Sequence, residues 1–266
     1  IHKIKTKKKL DILDLGCGCG IIGIFLKKFY KNSVNIFMSD YSSHAINLTK
    51  INSKINKVKI IVVKSNIFEK WKGKKFDIII DDISAIDQTI AKKSPWYNKF
   101  IPSNCGRDGI ILTEKVIKES KKYLKKNGKI FIPCVSLSNY KKVITLMKRN
   151  FRKVKLESYK EWPISKQLYK KIKKSLKKNY ILKKYGINLC FTSIYSCTKI
   201  WRSVAARFCP VCPGMSVAIR LSGSSSAVNT QNTPGKFRAS DASRRFNRPL
   251  ANSLRNTLAC SMPGMV

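Results

Sequence analysis

An α/β fold built on a doubly wound, mostly parallel sheet is predicted by three observations. Short apolar runs alternate with longer amphipathic stretches, the runs are apolar without a polar face, and a glycine-rich turn joins the first run to the first amphipathic stretch. Seven runs read as strands: Leu10–Leu15, Val34–Ser39, Lys59–Val63, Phe76–Ile80, Lys129–Val135, Val154–Tyr159 and Asn188–Tyr195. Between them Ile21–Tyr30, Ser42–Ile55, Ile86–Lys93, Thr113–Lys126 and Tyr140–Asn150 carry apolar residues at helical spacing. A run such as Phe76-Asp77-Ile78-Ile79-Ile80 lacks the alternation of a half-exposed strand. It suits a strand covered on both faces, and right-handed crossovers then place helices on each side.

Chemistry concentrates where the first strand meets the first helix, in Asp14-Leu15-Gly16-Cys17-Gly18-Cys19-Gly20. Glycines there let the backbone turn sharply and approach a ligand that a Cβ would push away. Asp40 closes the second strand, where a carboxylate can accept both hydroxyls of a ribose. Gly18-x-Gly20-x-x-Gly23 also matches a dinucleotide fingerprint, whose helix start holds a pyrophosphate. Asp14 argues against that ligand, because an acid two residues before Gly16 suits a cationic amino-acid moiety and repels phosphate.

Asp14-x-Gly16-x-Gly18-x-Gly20 with Asp40 resembles the first two motifs of the class I S-adenosylmethionine-dependent methyltransferases. The turn Gly106-Arg107-Asp108-Gly109 and the run Leu124–Lys129 resemble the methyltransferase small domain group within them. That group includes release-factor glutamine and ribosomal-RNA guanine methyltransferases. The resemblance, over residues 9–199, implies a Rossmann-like sheet of seven strands whose last is antiparallel; composition adds an irregular C-terminal tail after it. The resemblance implies S-adenosylmethionine as cofactor, with Asp14, Gly16, Gly18 and Gly20 around the methionine part and Asp40 on the ribose. Asn66, in the turn Ser65-Asn66-Ile67-Phe68, falls where the family faces adenine; an ordinary turn residue is the competing reading.

The acceptor motif departs from the family. Where relatives carry Asn-Pro-Pro-Tyr, this chain has Asp82-Ile83-Ser84-Ala85. Asp82 is the candidate catalytic residue, able to orient a nitrogen or oxygen nucleophile or take its proton, since methyl transfer needs an aligned nucleophile above all. Its competing role is a cap for the helix expected from Ile86. Ser94-Pro95-Trp96-Tyr97 can stack on a planar substrate or pack a lid against the core. Ser136, Ser138 and Asn139 are read mainly as the N-cap region of the helix that follows. The expected function is methylation of a protein side chain or an RNA base. The alternative is a catalytically silent module that binds S-adenosylmethionine or nucleic acid.

The chain carries 55 Lys+Arg against 14 Asp+Glu, a formal charge of +41. Such an excess suits an anionic partner. Up to residue 200, however, 43 lysines accompany only Arg107, Arg149 and Arg152, with abundant Ile and Asn. Those are residues whose codons use A and T alone, so a base-composition bias yields the same sequence. Lys166–Lys184 reads as an amphipathic basic helix through Leu168, Ile172 and Leu176, able to grip RNA phosphates or simply to be solvated.

Composition divides the chain into 1–200, the methyltransferase domain, and 201–266, a tail with one lysine, eight arginines and no glutamate. The tail lacks hydrophobic periodicity and reads as low-order, either a native flexible segment or foreign sequence. Its Cys209 and Cys212 lack the further ligands a zinc site needs, so no metal is expected. Scattered cysteines and the absence of a long apolar run point to a reduced, cytoplasmic, membrane-free setting. A start at Ile1, without Met, leads to the expectation that a native N-terminal portion is missing.

Overall fold

The computed structural model describes residues 8–97, 103–177 and 180–198. The tail with Cys209, Cys212 and Cys260 lies outside these residues. Chain order is β1 (Leu10–Leu15), α1 (Ile21–Tyr30), β2 (Val34–Asp40), α2 (Ser43–Ile55), β3 (Ile61–Lys64), β4 (Phe76–Asp81) and α3 (Gln88–Ala91). Then follow α4 (Ile111–Tyr123), β5 (Leu124–Val135), α5 (Tyr140–Asn150), β6 (Lys153–Pro163), α6 (Lys166–Ile172), β7 (Leu182–Lys184) and β8 (Ile187–Thr198). The sheet runs β3-β2-β1-β4-β5-β8-β6, with β7 paired to β8. β1 to β5 are parallel, and β8 runs antiparallel between β5 and β6.

Strand periodicity explains the two cores. Ile12, Ile36, Met38, Ile78 and Ile80 face α1, packing on Ile22 and Leu26. Leu13, Leu15, Phe37 and Ile79 point the other way, onto Val116, Ile117, Val143 and Met147 of α4 and α5; Phe76 joins this second core out of period, at the register shift between Phe76 and Ile78. Phe37, Trp71 and Phe76 meet edge-to-face, with centroids 5.6–5.9 Å apart. Strand order reverses between β1 and β4, which opens a crevice at the carboxyl ends of these strands. Six described cysteines are free thiols, and no described helix is long and apolar enough to cross a membrane.

The expected doubly wound, mostly parallel sheet with its antiparallel last strand is the one observed, and three details differ. A short eighth strand is added to the seven expected. The extra one arises because Tyr185 (φ 51°) and Gly186 (φ 72°) make a two-residue hairpin between β7 and β8. Consequently the helix expected over Lys166–Lys184 stops at Ile172; Leu168 and Ile172 are buried and a short 3-10 turn follows. The helix expected over Ile86–Lys93 is a single turn.

At the amino ends of β1 and β4, Lys125 Nζ bridges Asp11 (2.7 Å) and Asp77 (2.6 Å). Burial alone would raise the Asp11 pKa, but hydrogen bonds from Lys125 and Asn35 and the lysine charge hold it below its ordinary value. Lys125→Met leaves two carboxylates facing each other, at a cost of about 1–2 kcal/mol, between the exposed and buried limits for such pairs. In wild type the Asp11 contribution is present above about pH 4 and is lost as pH falls below it. Urea unfolding of both proteins at neutral and acid pH checks this: the gap between them narrows in acid.

Candidate functional site

Three strand ends are stitched together by backbone hydrogen bonds. Gly16 and Cys17 N–H both donate to the Ser39 carbonyl after β2 begins to close (2.8 and 3.0 Å), and Asp82 N–H donates to the Leu15 carbonyl (2.9 Å). Gly16 has φ +82°, and a Cβ there would lie 2.9 Å from the Asp82 carbonyl oxygen. A side chain would therefore push the β1 and β4 loops apart. Gly20, at φ +85°, lies against α2, where a Cβ would meet Thr49 Cγ2 at 2.8 Å.

The stitched ends enclose a cavity of about 660 Å³. Gly16, Gly18, Asp40, Tyr41, Asn66 and Ile67 line one half of it. Asp82, Ser84, Trp96, Tyr97 and Asn104 line the other, over Pro133, Val135 and Thr192. Among the described lining residues there is no Lys or Arg, in a chain that has 55 of them. Asp40 is held firmly, accepting from Gly18 N–H through Oδ2 (3.0 Å) and from Ser42 N–H through Oδ1 (2.8 Å). A second groove of about 610 Å³ lies along α1 beside Ile21, Phe25 and Phe29, with Cys19 lining both.

Of the residues singled out from sequence, Gly16, Gly18, Asp40, Asn66 and Asp82 come together on the cavity wall. Asp14 and Gly20 do not. Asp14 lies behind the loop, fully buried, with Oδ2 accepting from Gly23 N–H at 3.1 Å and Oδ1 without a hydrogen-bond partner. A strand alternates its faces, so Leu15 reaches the cavity and Asp14 is turned toward α1. Burial foremost, and the Asp40 charge, push the Asp14 carboxyl up to about 7 against the pull of the Gly23 N–H. Asp81, turned opposite to Asp82, is buried and likewise raised to about 7 by burial, with Ile83 N–H opposing. The helix-cap role falls to Asp87: its Oδ1 accepts from Thr89 N–H (2.9 Å) and Oγ1 (2.6 Å) at the start of α3. Asn139 caps α5.

Sequence reasoning missed Tyr41, Ile67 and Asn104. Ile67 adopts φ 52°, strained for a β-branched residue, and Ser65 Oγ–H donates to its carbonyl at 3.0 Å. No residue-type signal announces such a conformation. Asn66 Nδ2 donates to Glu69 Oε1 (2.8 Å), which fixes the amide at the rim. The row Lys166, Lys170, Lys171, Lys173 and Lys174 is exposed, whereas Lys177 is tied to Asp108 and lies 3.4 Å from Asp87 Oδ2.

The family model described as methyltransferase small domain matches residues 1–82. A Methanocaldococcus jannaschii protein named as a protein N5-glutamine methyltransferase is 33% identical over 141 residues, 53% of this chain and 70% of that one. The ribosomal protein uL3 glutamine methyltransferase of Francisella tularensis is 29% identical, over 46% of this chain and 40% of its own length. The release factor glutamine methyltransferase of Flavobacterium psychrophilum is 27% identical, over 58% and 56% respectively. The chain thus spans about half the length of two of these three relatives.

Asp14 makes a test of the site's electrostatics. The folded state keeps its proton up to about pH 7, whereas an unfolded aspartate releases it near pH 4. Stability therefore falls as pH rises between these values, with Asp81 acting in the same direction. Asp14→Asn removes its share of that slope, and denaturant midpoints between pH 4 and 8 show a flatter profile than wild type.

Proposed function

The chain belongs to the methyltransferase small domain group of the class I S-adenosylmethionine-dependent methyltransferases, and on that premise we propose that it methylates the side-chain amide nitrogen of a protein glutamine. The observation that carries the reading is a cavity with two carboxylates and no lysine or arginine among its described lining residues, set at the strand switch point of a lysine-rich chain. A dinucleotide pyrophosphate would meet those two carboxylates there. A nucleoside bearing positive charge meets a fitting environment, and the closely approached backbone at Gly16 leaves room for it.

S-adenosylmethionine supplies a methyl group made electrophilic by a positively charged sulfur. Gly16 and Gly18 offer backbone to its amino-acid part, and Asp40, fixed through both oxygens, accepts from the ribose hydroxyls. Asn66 and Ile67 flank the adenine. Asp14 acts from behind, holding the start of α1 through Gly23 N–H. Asp82 faces the acceptor half, where it orients the nitrogen and accepts one of its hydrogens. The glutamine assignment is supported by what the relatives are named for. A second reading, RNA as acceptor or guide, is favoured by the exposed lysine row of α6.

Calorimetric titration with S-adenosylmethionine, followed by tritiated-methyl transfer into cell lysate and mapping of the labelled residue, tests the proposal. Asp40→Ala weakens cofactor binding by roughly thirtyfold or more, the scale of lost charge-assisted hydrogen bonds. Asp82→Ala keeps cofactor affinity and lowers turnover by roughly a hundredfold. Label on glutamine supports the proposal; salt-sensitive label on RNA supports the second reading. Cofactor binding without labelled product supports a silent binding module, and no binding overturns the site.

A further inference from the structure

The acceptor half of the cavity contains a hydrogen-bonding pair that no motif announced. Asp82 follows β4 directly, and the next polar side chain, Ser84, is hydrogen-bonded to the hydroxyl of Tyr97. The Ser84 backbone is fixed in turn, its carbonyl accepting from the Cys105 thiol of a buried residue. Tyr97 and Asp82 line the same cavity, near enough that the carboxylate acts on the phenol electrostatically. Burial foremost keeps the Tyr97 phenol far above its ordinary pKa, so it stays an O–H donor at every working pH.

The two groups are complementary in kind. A carboxylate only accepts hydrogen bonds, and a tyrosine hydroxyl that stays protonated can donate one. In one cavity wall they offer an acceptor and a donor to the same ligand. A primary carboxamide answers both, offering N–H to Asp82 and its carbonyl oxygen to Tyr97. The surroundings favour a narrow side chain over a stacked base, because Trp96 is buried in a cluster with Ile86, Ile90 and Val135. Although Trp96 lines the cavity, it is 8% exposed, which leaves little of its ring for a nucleobase to stack on.

We infer that Tyr97, oriented by Ser84, binds the carbonyl oxygen of the acceptor amide while Asp82 binds its nitrogen, so that the pair forms the carboxamide clamp of this chain. The inference rests on the methyltransferase reading and adds to it a residue drawn from a different loop. It also accounts for the absence of an aromatic residue directly after Asp82, since the ring arrives from Tyr97 instead.

The full chain loaded with S-adenosylhomocysteine is titrated, by saturation-transfer NMR, with N-acetylglutamine methylamide and with N-acetylglutamate methylamide. The clamp requires the glutamine compound to bind and the isosteric glutamate compound, which puts a carboxylate against Asp82, to give no signal. Tyr97→Phe keeps the ring and is expected to keep S-adenosylhomocysteine affinity within about twofold while weakening the amide by roughly fivefold or more. Ser84→Ala, which releases the hydroxyl without touching the ring, is expected to weaken it as well, and serves if Tyr97→Phe does not fold. Equal binding of the two compounds, no binding of either to the loaded protein, or an amide affinity unchanged by both variants overturns the clamp. Failure of S-adenosylhomocysteine to bind is a separate result, and it strikes the cofactor reading instead.

Discussion

Everything functional in this chain depends on the close approach of the β1 and β4 loops at the point where strand order reverses. Gly16 allows it, because a Cβ there would strike the Asp82 backbone, and the hydrogen bond from Asp82 N–H to the Leu15 carbonyl fixes it. The β2 end joins through the Ser39 carbonyl, which takes two N–H groups from the loop. One backbone arrangement therefore sets the spacing between Asp40, on the cofactor side, and Asp82, on the acceptor side. Side chains in the cavity inherit positions that the main chain has already decided.

Charge then selects the ligand. The chain is rich in lysine, yet none of the described lysines lines the cavity, where the Asp40 and Asp82 carboxylates stand. A buried carboxyl with an orphan oxygen is an unfavourable element in a folded core. Asp14 keeps its proton up to about pH 7, so its part is to hold the start of α1 through Gly23 N–H. The Asp40 and Asp82 carboxylates in the cavity wall make the loop a poor host for pyrophosphate despite its formal match to the dinucleotide spacing.

The sheet was legible because its strands are buried on both faces and read as unbroken Ile-rich runs, and because α1 and α5 keep clean helical periodicity. β1, α1 and α5 fall where the pattern put them. What misled was local. The lysines of residues 166–184 share helical spacing with a hairpin arm, and only Tyr185-Gly186 marks the turn that decides the matter. At the site, Gly16, Gly18, Asp40, Asn66 and Asp82 were readable as types at strand ends. Asp14 was readable as important, but a side-chain period of two turns it away from the cavity, which spacing along the sequence does not display. Tyr97 was readable only as an aromatic that stacks on substrate or packs a lid, and Asn104 carried no signal, because loop residues have no periodicity that assigns them a face.

The central claim is that this cavity takes a cationic nucleoside and rejects a pyrophosphate. Side-by-side calorimetric titration of the full chain with S-adenosylmethionine and with NADH tests it most directly. The account predicts saturable binding of S-adenosylmethionine at a single site and no heat from NADH. Saturable binding of NADH, or of neither ligand, would contradict it.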